Sequence, residues 1–287
     1  GKTFYNTDLK TKRTGTMPNR GAVVITPGTS NKAITSGYHN GSGYVKGDAN
    51  LIAGNIKNGV NIFGVAGSLI PYSSVWTQRT SSFDTYIYSV TYGNNMFVAV
   101  GDSGKLATST NGTTWTQRTS SFGTTVIRDV TYGNNMWVAV GHDGKLATST
   151  NGTTWVQRTS SFDTTYIRGV AYGNNMWVAV GHDGKLATST DGITWTQRTS
   201  SFGTTDIYSV TYVNNMFVAV GDSGKLATST NGTTWTQRTS SFGTTRIYGV
   251  AYGNNMFVAV GDSGKLATST NGTTWTQRTS SFGTTVI

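Results

Sequence analysis

The sequence contains no cysteine and no glutamate. Without cysteine there are no disulfide staples, thiolate nucleophiles or cysteine-based zinc sites, so packing must hold the fold together. Without glutamate, every carboxylate side chain is one of 12 aspartates, and any mechanism that needs a glutamate is excluded. Proline is scarce too: the 3 in the chain are Pro18, Pro27 and Pro71, and none follows. Charged residues make up 12%, about half of the roughly 25% usual in soluble domains. No apolar run approaches the roughly 18 residues of a membrane helix, and no basic-then-apolar leader follows Gly1. The expectation is a soluble chain, cut from something longer, that inserts into no membrane.

Aromatic residues, by contrast, reach 11%, with 8 Trp, 14 Tyr and 11 Phe, enough apolar surface for a packed protein. The net charge is +10, of which residues 1–75 carry +6 and residues 76–287 carry +4. Neither part has the dense Lys/Arg run of a nucleic-acid arm, so no nucleic-acid partner is expected.

A repeat dominates the chain. The phrase Trp-Thr-Gln-Arg-Thr-Ser-Ser-Phe, with Val for Thr at 156, begins at Trp76, Trp115, Trp155, Trp195, Trp235 and Trp275, at spacings of 39 and then 40 residues. Between the phrases lie runs such as Ile127–Tyr132, Met136–Gly141 and Lys145–Thr150, rich in Val, Thr, Tyr and Ala. Gly-Asn-Asn, Gly-Asp-Ser-Gly or Gly-His-Asp-Gly, and Asn-Gly punctuate them, which is hairpin chemistry. Four short strands in about 40 residues make a β-propeller blade, whose faces are buried only by neighbouring blades. The absence of proline after Pro71 fits, because interior strands must donate their backbone N–H groups. The fold class expected is all-β, a propeller of four-stranded blades, five favoured and six possible. Either Trp76–Thr80 clasps the last blade and Trp275–Ile287 is surplus, or the reverse.

Each copy also carries a phrase such as Ser109-Thr-Asn111-Gly112-Thr-Thr-Trp115. It resembles the Asp-box of sialidase-like propellers, Ser-x-Asp-x-Gly-x-x-Trp, with Asn for Asp in all copies but one. The positions are Asn111 and Trp115, Asn151 and Trp155, Asp191 and Trp195, Asn231 and Trp235, and Asn271 and Trp275. Their expected role is structural: the Asx side chain caps its own turn and the Trp anchors the outer strand.

Residues 1–72 lack the repeat, and composition changes at Leu69-Ile-Pro71-Tyr72, the expected linker to a propeller over 73–287. Asp48 is placed to cap a short helix over Ala49–Ile56. The run Gly37-Tyr-His-Asn-Gly-Ser-Gly-Tyr-Val-Lys-Gly-Asp48, continued through Ala53-Gly54 to Val65-Ala-Gly-Ser-Leu69, resembles a module of tail-fibre and minor structural proteins from phages of Gram-positive bacteria. That resemblance spans roughly residues 14–69. It implies a small β-rich attachment module, a homo-oligomer built through it, a distal recognition head and a place in the virion tail.

Catalytic patterns fail on their residues. Gly101-Asp-Ser-Gly-Lys105 looks like a serine-nucleophile context, but copies with Ser have no His, and those with His142 or His182 carry Asp143 or Asp183 in place of Ser. Sialidase chemistry needs Glu. Paired glycosidase carboxylates are not foreshadowed by aspartates scattered through repeated turns. Two separate His-Asp pairs make a poor metal site. Gly41-Ser-Gly43-Tyr-Val-Lys-Gly47 misses dinucleotide spacing by one residue. The expectation is a non-enzymatic protein without metal or cofactor.

Because the copies are nearly identical, their differences are informative. One set lies at the start of the first strand: Tyr86 and Tyr88; Arg128 and Asp129; Tyr166 and Arg168; Asp206 and Tyr208; Arg246 and Tyr248. A second lies in the turn after the second strand, where His142-Asp143 and His182-Asp183 replace Asp-Ser. Strand direction reverses at each turn, so both sets fall on one rim, and the Asx turns fall on the other. Tyr faces beside Arg and Asp suit sugars, and the arginines suit anionic polymers. The expected partner is a surface glycan or anionic cell-wall polymer, bound with avidity in a lectin-like manner. A secreted or cell-surface lectin or adhesin, and a protein-binding scaffold resembling photosystem assembly factors, are the alternatives.

Overall fold

A computed structural model describes residues 3–5, 12–14, 30–33, 44–45, 48–69 and 77–284. The chain forms two compact units, residues 1–78 and 79–287.

In the first unit, short antiparallel pairs join Thr3–Tyr5 to Lys12–Thr14, Lys32–Ala33 to Tyr44–Val45, and Asn61–Ile62 to Val65–Ala66. The helix expected over Ala49–Ile56 does not form; only Ala53–Asn55 makes a 3-10 turn. Asp48 instead closes an Asx turn, its Oδ1 accepting from the Asn50 N–H at 2.9 Å. Asn50, Gly54 and Asn55 are weak helix formers, so local capping wins over propagation. Ile70–Tyr72 of the expected linker, Trp76, and most of the Gly41–Gly47 run lie outside the described residues.

The second unit consists of five four-stranded antiparallel sheets, each in sequential strand order. Strands A to D of the first blade are Ile87–Gly93, Met96–Gly101, Leu106–Ser109 and Thr116–Arg118. The same four recur in every repeat through Ile247–Gly253, Met256–Gly261, Leu266–Ser269 and Thr276–Arg278. Asn94 and Asn95, both with positive φ (45° and 57°), make the A–B hairpin turn that twisted antiparallel strands favour. Strands A of successive blades pack together, and the exposed strands D form the outside.

The core lies between blades. Val98, Val100 and Leu106 of the first blade pack against Ile127, Val130, Trp137 and Trp155 of the second. In the turns between strands C and D, Asn111 Oδ1 accepts from the N–H groups of Thr113 and Thr114, both at 2.9 Å. Trp115 Nε1 donates to the Gly112 carbonyl at 3.2 Å, and the same geometry recurs at Trp155, Trp195, Trp235 and Trp275.

The last blade takes its outer strand from its own repeat, Thr276–Arg278, while Thr77–Thr80 forms no strand and is exposed. Trp275 and its neighbours are therefore not surplus. The first and last blades do not pack against each other: Ile87 and Val90 are 45% and 57% exposed, where Ile127 and Val130 are 0% and 1%. Open ends fit the six-blade alternative better than a ring closed by five.

Candidate functional site

Each strand A begins with the same irregularity. Ile127 pairs with Gly141 and Asp129 with Val140, leaving Arg128 as a bulge. The equivalent residues are Tyr88, Arg168, Tyr208 and Tyr248. A bulge re-aims one side chain while the ladder continues, and here the re-aimed residue is tyrosine in three copies and arginine in two. Glycine makes the bulge possible: a Cβ on Gly141 would lie 2.1 Å from the Val126 carbonyl oxygen. The His142 N–H donates to that same carbonyl at 3.0 Å. Four equivalent bonds, to Tyr86, Tyr166, Asp206 and Arg246, tie the B–C turn to the start of strand A in the other blades. Both variable sets therefore lie side by side on one rim.

The rim side chains form a continuous ladder across the blades. Tyr86 and Tyr88 are exposed, with ring centroids 6.4 Å apart. The Arg128 guanidinium lies over the Tyr88 ring at 4.3 Å, and its Nε donates to His142 Nε2 at 2.9 Å. His142 stacks on Tyr166 at 3.8 Å with the planes 3° apart, and Tyr166 leans on His182 at 5.0 Å. Arg168 meets His182 Nε2 and lies over Tyr208 at 4.9 Å. Tyr208 packs on Tyr248 at 5.3 Å, and the Tyr248 hydroxyl donates to Asp262 Oδ2 at 3.3 Å.

Acids contact this ladder at several points. Asp206 Oδ2 lies 3.5 Å from His182 Nε2, and its Oδ1 accepts from the Asp183 N–H at 3.0 Å. Arg246 Nε donates to Asp222 Oδ1 at 3.2 Å. Asp143 and Asp183 are exposed at turn positions with φ of 53° and 54°. Burial, with Arg128 and Arg168 beside it, pushes His142 below the ordinary histidine value. Burial and Arg168 do the same to His182, against the opposite pull of Asp206. An imidazole nitrogen that accepts from an arginine must be unprotonated, so geometry and electrostatics agree that His142 is neutral. Burial and Asp222 push the Tyr208 hydroxyl up. Tyr248, Tyr208 and Asp222 hold Arg246 firmly charged.

Asp129 does not belong to this ladder. Its Oδ1 accepts from the Ser89 hydroxyl at 2.7 Å and the Val130 N–H at 2.8 Å, and its Oδ2 from the Val170 N–H at 2.9 Å. It links three blades near their inner strands. Burial pushes its carboxyl up despite those three bonds.

Concave features also lie elsewhere, where variation between copies gives no signal. Grooves of about 390, 380 and 500 Å³ recur between the B–C turn and strand D, lined by Lys225, Arg238 and Ser240 and by their counterparts. Ser121, Ser161 and Ser201 carry buried hydroxyls without a hydrogen-bond partner. These residues are identical in every copy, so comparing copies passes over them.

A family model, the DUF6242 beta propeller domain, matches residues 162–285. The fold is a β-propeller. Among solved propellers, a virginiamycin B lyase from Staphylococcus aureus is similar with a TM-score of 0.63 at 13% identity, over 70% of this chain and 72% of that one. YCF48 from Cyanidioschyzon merolae is similar with a TM-score of 0.58 at 18% identity, over 74% of this chain and 77% of that one. YCF48 solved bound to D1 peptide gives 0.56 at 19%, over 71% of each chain. At these identities the likeness is one of propeller fold. No curated protein sequence matches the chain.

Proposed function

We propose that this propeller is a non-enzymatic recognition module that binds an extended, anionic surface polymer along its variable rim. The observation that carries the reading is the unbroken ladder from Tyr88 through Arg128, His142, Tyr166, His182 and Arg168 to Tyr208 and Tyr248. Tyrosine faces offer stacking area to sugar rings, and Arg128 and Arg168 offer charged donors to acidic groups. The fixed scaffold and variable rim match the way binding surfaces are grafted on rigid folds. On this reading the first unit is the attachment and oligomerisation module of a phage tail-fibre-type receptor-binding protein. Repetition of the rim across an oligomer then adds avidity. A secreted or cell-surface lectin would use the same rim.

The ladder is one strip rather than a set of separate pockets, and that continuity favours a second reading, a protein-binding scaffold. YCF48, a distant structural neighbour, was solved with a bound peptide.

Titrating the full chain against a teichoic-acid-type polyphosphate polymer, a neutral glycan and an acidic peptide separates the readings. The polymer is expected to bind most tightly, with affinity falling as salt rises and falling further in an Arg128→Ala/Arg168→Ala variant. Binding of the peptide alone would replace the polymer by a protein partner. No binding to any of the three would remove both readings.

A further inference from the structure

The two open ends of the blade array carry halves of the interface that joins every other pair of blades. Two knob-and-socket contacts define that interface. In the first, present at three of the four junctions, a tyrosine of one blade covers the glycine that ends strand A of the blade before it; at the fourth, Val213 stands in the glycine's place and packs in the same core as Tyr252. A Cβ on Gly93, Gly133 or Gly173 would lie 2.3, 2.4 or 1.9 Å from the ring of Tyr132, Tyr172 or Tyr212. In the second, a methionine packs on the Asx-turn glycine of the following blade. A Cβ on Gly152 would lie 3.2 Å from Met96, on Gly192 3.0 Å from Met136, and on Gly272 2.3 Å from Met216.

At the ends each contact is cut in two. Gly253 has nothing within 4 Å of its Cβ position, so its socket is empty. Tyr92, the matching knob, is 56% exposed in the first blade. Met256 is 37% exposed, whereas the nearest neighbour of a Cβ on Gly112 is Phe97 of its own blade. The apolar faces follow suit. Ile87 and Val90 are exposed at one end, and Val258, Val260 and Leu266 are only partly covered at the other, although their counterparts elsewhere are buried, Val250 alone being partly so.

We infer that these two faces are docking surfaces for a further blade of this same repeat. Such a blade would lay its strand-A tyrosine over Gly253 and offer its Asx-turn glycine to Met256. Its opposite face would give a glycine to Tyr92 and a methionine to Gly112. A generic apolar partner would meet neither socket, whereas the repeat meets all four contacts, the tyrosine–glycine pair being realised at three junctions and the methionine–glycine pair between successive blades. The interface is heterologous, head to tail, so whatever fills it must carry the complementary face. The inference is independent of what the rim binds.

The test is the full chain extended after Ile287 by one or two in-frame duplicates of residues 248–287, followed by hydrogen exchange. Amides of Gly253–Val260 are expected to exchange at least about tenfold more slowly with one duplicate. Protection of Ile87–Tyr92 is expected with whichever length closes the array, together with a higher unfolding midpoint. Replacing the duplicate's tyrosine and methionine by alanine should abolish the gain. A second variant guards against an extension that fails to fold: Val90→Lys is expected to leave the unextended chain's midpoint unchanged, because that face is free. A marked loss from Val90→Lys alone would overturn the inference, as would unchanged exchange in both extended chains. Concentration-dependent dimers of the unextended chain that protect both faces and persist in a Tyr92→Ala/Met256→Ala variant would also overturn it, by showing that a contact other than the repeat interface fills them.

Discussion

Arg128 Nε donates to His142 Nε2 across 2.9 Å, so one rim arginine is held by an imidazole that must stay neutral to accept it. Arg128, Arg168, Asp143 and His182 all face His142, and the arginines outweigh the acid. Both rim histidines titrate below their ordinary value of 6.5 in the folded state. The unfolded chain therefore binds more protons as pH falls. Their contribution to stability is complete above about 6.5 and is lost as pH drops through that value toward the folded one. The unfolding midpoint should fall between pH 7.5 and 5, and a His142→Gln/His182→Gln variant should show a flatter profile. Equal slopes would separate the ladder from the pH response.

Asp129 is the carboxylate that ties three blades together, so its loss should weaken the fold and spare recognition. Asp129→Ala leaves the Val170 N–H and the Ser89 hydroxyl without their acceptor, a cost of about 2–3 kcal/mol. Chemical denaturation measures the loss. Ligand binding by the still-folded fraction should be unchanged; reduced affinity would return Asp129 to the rim.

Asp191 stands where four other copies have asparagine, and the chemistry of its turn needs only an acceptor. The N–H groups of Ile193 and Thr194 donate to Oδ1 at 2.8 Å and hold its pKa down to about 2. Its charge contributes fully above 3.8 and is lost as pH falls through about 2. Asp191→Asn should cost less than about 0.5 kcal/mol, and Asp191→Ala about 1 kcal/mol. A carboxyl titration of Asp191 by NMR should fall near 2; a normal value would mean that the turn opens in solution.

The blade interface makes a pair of chemically identical substitutions unequal. A Cβ on Gly173 would sit 1.9 Å from the Tyr212 ring, which must then shift within a packed core, at a cost of about 1–3 kcal/mol. Gly253→Ala meets open space and should cost less than about 0.5 kcal/mol. Equal losses in denaturation would show that the end face is covered.

The strands and the rim were legible in the sequence because the repeat is nearly exact. The 40-residue period sets the blade, and among the residues that break it Tyr88, Arg128, Arg168, Tyr208 and Tyr248 occupy the bulge. Asp129 was read with them because it too differs from its counterparts, Ser89, Gly169, Ser209 and Gly249. The bulge at Arg128 resets the register, and the next side chain bonds inward to neighbouring blades instead of joining the ladder. The grooves along strand D gave no signal, since Lys, Gln, Arg and Ser recur there unchanged. Ring closure was equally hidden: it depends on packing between blades, including Tyr–Gly and Met–Gly contacts, which strand patterns do not encode.

The most direct test of rim recognition replaces the five bulge residues together, as Tyr88→Ala, Arg128→Ala, Arg168→Ala, Tyr208→Ala and Tyr248→Ala. Binding to the anionic polymer and thermal unfolding should be measured on the same preparation. The account predicts a cooperative unfolding transition, because the bulges lie outside the ladder pairs, together with loss of binding by tenfold or more, about 1.4 kcal/mol. A folded variant that binds the polymer as tightly as the parent would contradict it and move recognition to another surface.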